Sequence, residues 1–210
     1  MHIVCLDLEG VLVPEIWISV AETTGITDLR LTTRDIADYD VLMKRRISIL
    51  SEHGLRLSDI QGVIEKLEPL PGAKKFLDDL RQITQVLILS DTFTQFAAPI
   101  MKKLAWPTLW CNSLTIEENM IVDYTLRIPD GKLRAVEALR ALNFTVIAGG
   151  DSYNDIAMLK AADHGVLFRP PENIVSEFPQ FQVVEKHRDL LKRIIAHLPV
   201  VGTSPHPNGR

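Results

Sequence analysis

The sequence predicts an α/β fold: a parallel, Rossmann-like sheet with helices on both faces, plus an inserted α-helical cap and a β-hairpin. Three observations carry this expectation. Short apolar runs rich in Val, Ile and Leu recur without alternation: "HIVCLDL", "QVLILSD", "FTVIAGGD" and "HGVLF", with "FQVVE" as a further candidate. Strands of a parallel sheet have this character when helices cover both faces. Helix-like stretches separate the runs, and the alternation of strand and helix implies right-handed crossovers. Three of the runs also end in acids.

Taken in order, "HIVCLDL" is the first strand, and residues 13–70 after it are too long for one crossover. They divide into helices at about 14–24, 39–53 and 58–67, read as a cap inserted into a core made of 1–12 and 71–198. "GAKKFLDDLRQ" (72–82) is the helix leading into the second strand, and "FTQFAAPIMKKLA" (93–105) follows it. Residues 107–128, "TLWCNSLTI", "EEN" and "MIVDYTLRI", have the pattern of a β-hairpin. "GKLRAVEALRAL" (131–142) leads into the third strand and "NDIAMLKAA" (154–162) follows it. The last residues, 199–210, are rich in Pro, Gly and Ser and are expected to be flexible.

Composition narrows the function. The 210 residues are 46% hydrophobic, enough for a sizeable core, and the formal charge of −4 comes without a long basic block. No electrostatic case exists for a nucleic-acid or membrane-surface partner. The two cysteines, Cys5 and Cys111, make no disulfide framework. With no leader-like segment and no apolar run near membrane length, the expectation is a soluble cytoplasmic protein.

In open α/β sheets the ligand crevice lies beyond the carboxyl ends of the strands. One edge of this sheet therefore collects Asp7 and Glu9, then Ser90 and Asp91, then Asp151 and Asp155. Carboxylates so gathered repel one another unless a cation intervenes. Oxygen donors with little His or thiolate suit Mg²⁺, and a Mg²⁺ with few protein ligands usually brings a phosphate. A single acid at a strand end is more often a cap or turn residue. Here the order and position of all three clusters, with Lys132 opening a helix between the second and the third, favour a site.

These residues resemble the haloacid dehalogenase-type phosphohydrolases. "DLEGV" is similar to that family's first motif, "LILSDT" to the second, Lys132 to the third and "GDSYND" to the fourth, over residues 3 to 185. The closest likeness is to the phosphoserine phosphatase branch, and within it to bifunctional phosphoserine phosphatase/homoserine phosphotransferases. Glu9 departs from the wider family, which has Asp there.

The resemblance implies a Mg²⁺-dependent phosphoserine phosphatase working through an aspartyl-phosphate, with transfer to homoserine as an accompanying activity. Asp7 would be the nucleophile, and Asp7, Asp151 and the Glu9 carbonyl the metal ligands, with Asp155 on the ion or its water. The Glu9 side chain would be general acid, then general base. Ser90, the Asp91 amide and Asn154 would hold phosphate oxygens, although Asn154 also reads as a helix N-cap. Lys132 would face the transferring group, although spacing alone makes it a solvated helix lysine.

On a helical wheel for 39–53, Arg46 falls mid-stripe with Tyr39, Leu42, Met43, Ile49, Leu50 and His53, whereas Arg45 falls with Lys44, Ser48 and Glu52. Arg46 either snorkels or binds a substrate carboxylate. Glu15, after Pro14, either opens a helix or matches the family's ammonium-binding acid. Two rivals stay open: another small-metabolite phosphatase of this fold, and a catalytically silent phosphate-binding module.

Overall fold

The structure, a computed structural model, describes residues 1–32, 35, 36 and 38–199. Among the described residues, seven strands form one sheet in the order β4-β3-β2-β1-β5-β6-β7. β1 (His2–Leu6) lies at the centre, parallel to β2 (Gln85–Phe93) on one side and β5 (Thr145–Gly150) on the other. β6 (His164–Phe168) and β7 (Gln182–Val184) extend the β5 side in parallel. On the β2 side, β3 (Thr108–Glu117) is parallel to β2 and antiparallel to β4 (Met120–Thr125). Val4 and Leu6 pack into one buried cluster while Cys5 packs into another with Ala135, Val136 and Met158. Burial on both faces explains why β1 is apolar without alternation.

Helices α1 (Ile16–Thr24), α2 (Tyr39–Glu52) and α3 (Leu57–Ile64) occupy the expected insert, with a 3₁₀ turn at Thr27–Arg30 besides. The remaining helices are α4 (Ala73–Arg81), α5 (Thr94–Lys103), α6 (Gly131–Ala141), α7 (Ile156–Ala161), α8 (Glu172–Glu177) and α9 (His187–Ala196).

Some expectations need correction. The helix expected at 58–67 ends at Ile64, because the next carbonyls turn outward to Lys103. Its Nζ lies 2.9 Å from Glu65 O, 2.7 Å from Leu67 O and 2.6 Å from Glu68 Oε1. A cation at a helix C-terminus also suits the helix dipole. The helix expected from 154 begins as a 3₁₀ turn, Tyr153–Asp155. The expected hairpin forms as β3 and β4, and the first half of β3 also pairs with β2 and continues the main sheet. Its turn residues Glu118 and Asn119 take φ of 46° and 68°, the twist a two-residue hairpin needs. α8 and α9 were not expected. The tail anticipated from 199 onward lies outside the described residues, apart from Pro199.

A proline shows how the insert docks. Pro99 sits inside α5 and cannot donate to the carbonyl of Gln95. That freed carbonyl accepts a 2.8 Å bond from Gln61 Nε2 of α3 instead. The hairpin grips the same insert: Asn119 O accepts from Leu57 N at 2.8 Å, and Tyr124 Oη donates to Asp40 at 2.8 Å.

Candidate active site

Because β1, β2 and β5 run parallel, the segments at their carboxyl ends converge on one edge. Asp7 follows β1, Ser90 and Asp91 lie in β2, and Asp151 follows β5. One ligand oxygen each from Asp7, Asp151 and Asp155 lies within 4.8 Å of the others, and all three residues are buried. Two glycines make this approach feasible: a Cβ at Gly10, where φ is +78°, would collide with the Asp151 carboxylate, and one at Gly150 with Asp155.

Lys132, the second residue of α6, is buried rather than solvated. Its Nζ lies 2.7 Å from Asp155 Oδ1, 2.9 Å from Asp7 Oδ1 and 3.7 Å from Asp91 Oδ2. Burial by itself would weaken the ammonium, but Asp155, Asp7 and Asp91 together hold its pKa well above the ordinary lysine value. Asp7 is raised well above the usual carboxylate range, first by burial and then by repulsion from Asp155, with Lys132 opposing. Among the described residues, Asp7, Asp151 and Asp155 gather hard oxygen donors around one buried ammonium. A divalent oxygen-seeking cation fits that donor set.

Asp155 is already committed. Its Oδ2 accepts from Asp151 N at 3.0 Å and Ser152 N at 3.1 Å, while Oδ1 takes Lys132. These bonds position the loop that carries Asp151. Asn154 is committed as well: its Nδ2 donates to Asp91 Oδ2 at 2.9 Å, and its Oδ1 accepts from Ser152 Oγ. Ser90 is buried, its Oγ accepting from Thr92 N at 3.2 Å.

The Glu9 side chain points toward the helical insert. Its Oε2 accepts from Ile16 N at 2.8 Å, satisfying the first turn of α1, which Glu15 at the N-cap does not do. Burial, with help from Glu15, pushes Glu9 up to about 8, against the Ile16 amide, Arg46 and Lys132.

Arg46 lies 7% exposed over the Trp17 ring, 4.6 Å from its centroid, with Nη2 2.8 Å from Leu31 O. Among the described residues it has no ion-pair partner, and its Nε is buried without a hydrogen bond. Burial lowers it to about 10, against the nearby Tyr39, Glu9 and Glu15. Arg45 is on the surface, 3.0 Å from Asp28. Tyr39, on the same stripe as Arg46, donates from its hydroxyl to Asp91 O at 3.1 Å and so joins the insert to the end of β2. The wheel had placed Tyr39 beside Arg46 without assigning it a role. Trp17 had no sequence signal beyond being apolar.

A family model described as haloacid dehalogenase-like hydrolase matches residues 1–163. The chain belongs to the haloacid dehalogenase-like hydrolases. It is 56% identical to the phosphoserine phosphatase ThrH of Pseudomonas aeruginosa, over 93% of this chain and 96% of that protein. It is also 56% identical to a phosphoserine phosphatase of Pseudomonas syringae pv. tomato, over 93% of this chain and 83% of that protein. Among solved structures, a phospho-aspartyl intermediate analogue of phosphoserine phosphatase has the same fold, with a TM-score of 0.75 at 19% identity over 91% of this chain and 98% of that one. A substrate-bound phosphoserine phosphatase complex matches with a TM-score of 0.73 at 20% identity, over 91% and 97%. Among the described residues, no helix is long and apolar enough to cross a membrane.

Proposed function

We propose that this chain is a Mg²⁺-dependent phosphoserine phosphatase, with residues 13–70 as the cap over a core of 1–12 and 71–198. The observation that carries the substrate is Arg46, a buried guanidinium with no ion-pair partner among the described residues, close to Glu9 and Glu15. A phosphorylated amino acid brings the missing carboxylate to Arg46 and an ammonium to Glu15, while its phosphate faces Asp7. The similarity to named phosphoserine phosphatases points the same way.

In the first step an Asp7 oxygen bonds to phosphorus as the bond from phosphorus to the serine oxygen breaks. Glu9 gives its proton to that oxygen, and serine leaves. Glu9, now a carboxylate, then takes a proton from water, whose oxygen bonds to phosphorus as the bond to Asp7 breaks. Ser90 and the Asp91 amide hold phosphate oxygens, and Lys132 sets the Asp7 carboxylate. Asn154 keeps Asp91 in place. Mg²⁺, which Asp7, Asp151 and the Glu9 carbonyl would hold, supplies positive charge that offsets the meeting of anion with dianion. Its two free, buried cysteines suit a reducing cytoplasm.

Phosphate release over a panel of phosphorylated amino acids and sugars, with and without Mg²⁺, tests this reading. Phosphoserine with Mg²⁺ should lead the panel. A sugar phosphate turned over faster would replace the substrate, and no turnover of any would favour a silent binding module.

Homoserine carries the same ammonium and carboxylate as serine, with its hydroxyl one methylene further out, so Glu15 and Arg46 can hold it as an acceptor. Both acceptors use the same base, and held geometry sets the partition. Phosphorus NMR of phosphoserine, Mg²⁺ and homoserine should then reveal some phosphohomoserine, and Glu9→Gln should slow both routes. Free phosphate alone at saturating homoserine would leave a plain phosphatase.

A further inference from the structure

His187 opens α9, in the part of the chain beyond the family match, and is 4% exposed. The mechanism does not use it. Its ring rests against Phe168 and Phe76, with centroids 4.6 and 5.4 Å away. Its Nε2 lies 2.8 Å from Val11 O and its Nδ1 3.2 Å from Pro71 O. These two carbonyls belong to the two segments that join α1–α3 to the sheet, one leaving β1 and the other entering α4. The segments also meet directly, Leu70 N donating to Leu12 O at 2.9 Å.

The entry segment is tightly wound. Gly10 N donates to Val13 O at 2.8 Å, and Leu12 N and Val13 N both donate to Leu8 O, at 2.8 and 3.0 Å. It starts right after Asp7, contains Glu9 and leads to the Ile16 amide that Glu9 holds. The exit segment turns at Gly72, φ +90°, where a Cβ would come 3.5 Å from His187 Nδ1. An imidazole is flat and rigid: protonated, it donates from both edges and bridges two carbonyls, and neutral, it donates to one of them while its other edge packs against the second. A buried carbonyl without a donor carries a desolvation cost. The ring therefore ties the spacing of the two segments to α9 and β6.

We propose that His187 is a positioning residue: it clasps the entry and exit segments of the helical insert, and so sets Glu9 and Arg46 against Asp7. The proposal rests on the phosphatase reading for the roles of Glu9, Arg46 and Asp7 and for phosphoserine as one probe, and the clasp itself is read by exchange at Leu70.

The test compares His187→Phe, which keeps the ring and loses both polar edges, with His187→Gln, which keeps a donor. Leu190→Ala on the same helix serves as the packing control, Leu190 being fully buried. The readouts are the ratio of kcat/KM for phosphoserine to that for p-nitrophenyl phosphate, which lacks the amino-acid part, and amide exchange at Leu70. His187→Phe should lower the ratio about tenfold, within the range that displacing reacting groups by about 1 Å costs. It should also speed exchange at Leu70. His187→Gln should recover part of both, and Leu190→Ala should lower Tm with the ratio unchanged.

An unchanged ratio and unchanged Leu70 exchange in both His187 variants would overturn the clasp, as would an equal fall in the ratio with Leu190→Ala. If His187→Phe does not fold, His187→Gln decides by the same two readouts. If the wild-type protein does not turn over phosphoserine, that reading falls, and Leu70 exchange alone decides the clasp.

Discussion

Asp7→Asn should abolish phosphate release, by about 10⁴-fold or more, the scale on which loss of a nucleophile is felt. The fold should survive, because the amide has the size of the carboxylate and its oxygen can still accept from Lys132, now 2.9 Å from Asp7 Oδ1. The change also removes one of three crowded carboxylates, so in metal-free buffer the melting temperature should hold or rise. Phosphate release and a thermal melt in chelator give both readings. Near-normal turnover in the variant would sink the aspartyl-phosphate mechanism.

Arg46→Ala should lower kcat/KM for phosphoserine by about 2–5 kcal/mol, by analogy with losing one partner of a buried charge pair, which is roughly 30- to 4000-fold. Hydrolysis of p-nitrophenyl phosphate, which has no carboxylate for the guanidinium, should change far less. Arg46→Lys should restore little, since an ammonium cannot reproduce a planar two-pronged contact. Arg45→Ala should do almost nothing, because its partner Asp28 is a surface acid and such pairs contribute about 0–1 kcal/mol. Equal losses on both substrates in Arg46→Ala would assign the residue to the fold, through its packing on Trp17 and its bond to Leu31 O.

The strands and the acids at their ends were legible because each is a local pattern: an apolar run, a carboxylate, a following helix. The stripe that carries Arg46 was legible for the same reason, since helical periodicity sorts neighbours three and four apart. What escaped depends on partners distant in the chain. Nothing around "EKHRDLL" announces that His187 meets Val11 and Pro71, and nothing around Pro99 announces that Gln61 fills the gap it leaves. Lys132 was ambiguous until three acids closed around it. The motif around Asn154 points to a phosphate contact, and nothing local announces that one of its two amide N–H groups reaches Asp91. The hairpin was seen as two strands and a turn, but pairing of β3 with β2 is a property of the sheet, invisible in "TLWCNSLTI".

The central place of β1 also has a consequence for biosynthesis. His2 pairs with Thr145 and Ile3 with Gln85, so the first strand made is flanked by strands that come long after it. At about 5–20 residues per second of synthesis, the 143 residues separating His2 from Thr145 take roughly 7–29 s. Throughout that interval "HIVCL" has at least one open edge, and a nascent chain ending before β5 offers it no partner there. The carboxylates are kept apart for as long, since Asp151 follows β5. Catalytic assembly and closure of the sheet around its oldest strand thus become a single late event, and the emerging chain must keep an aggregation-prone apolar segment out of trouble until then.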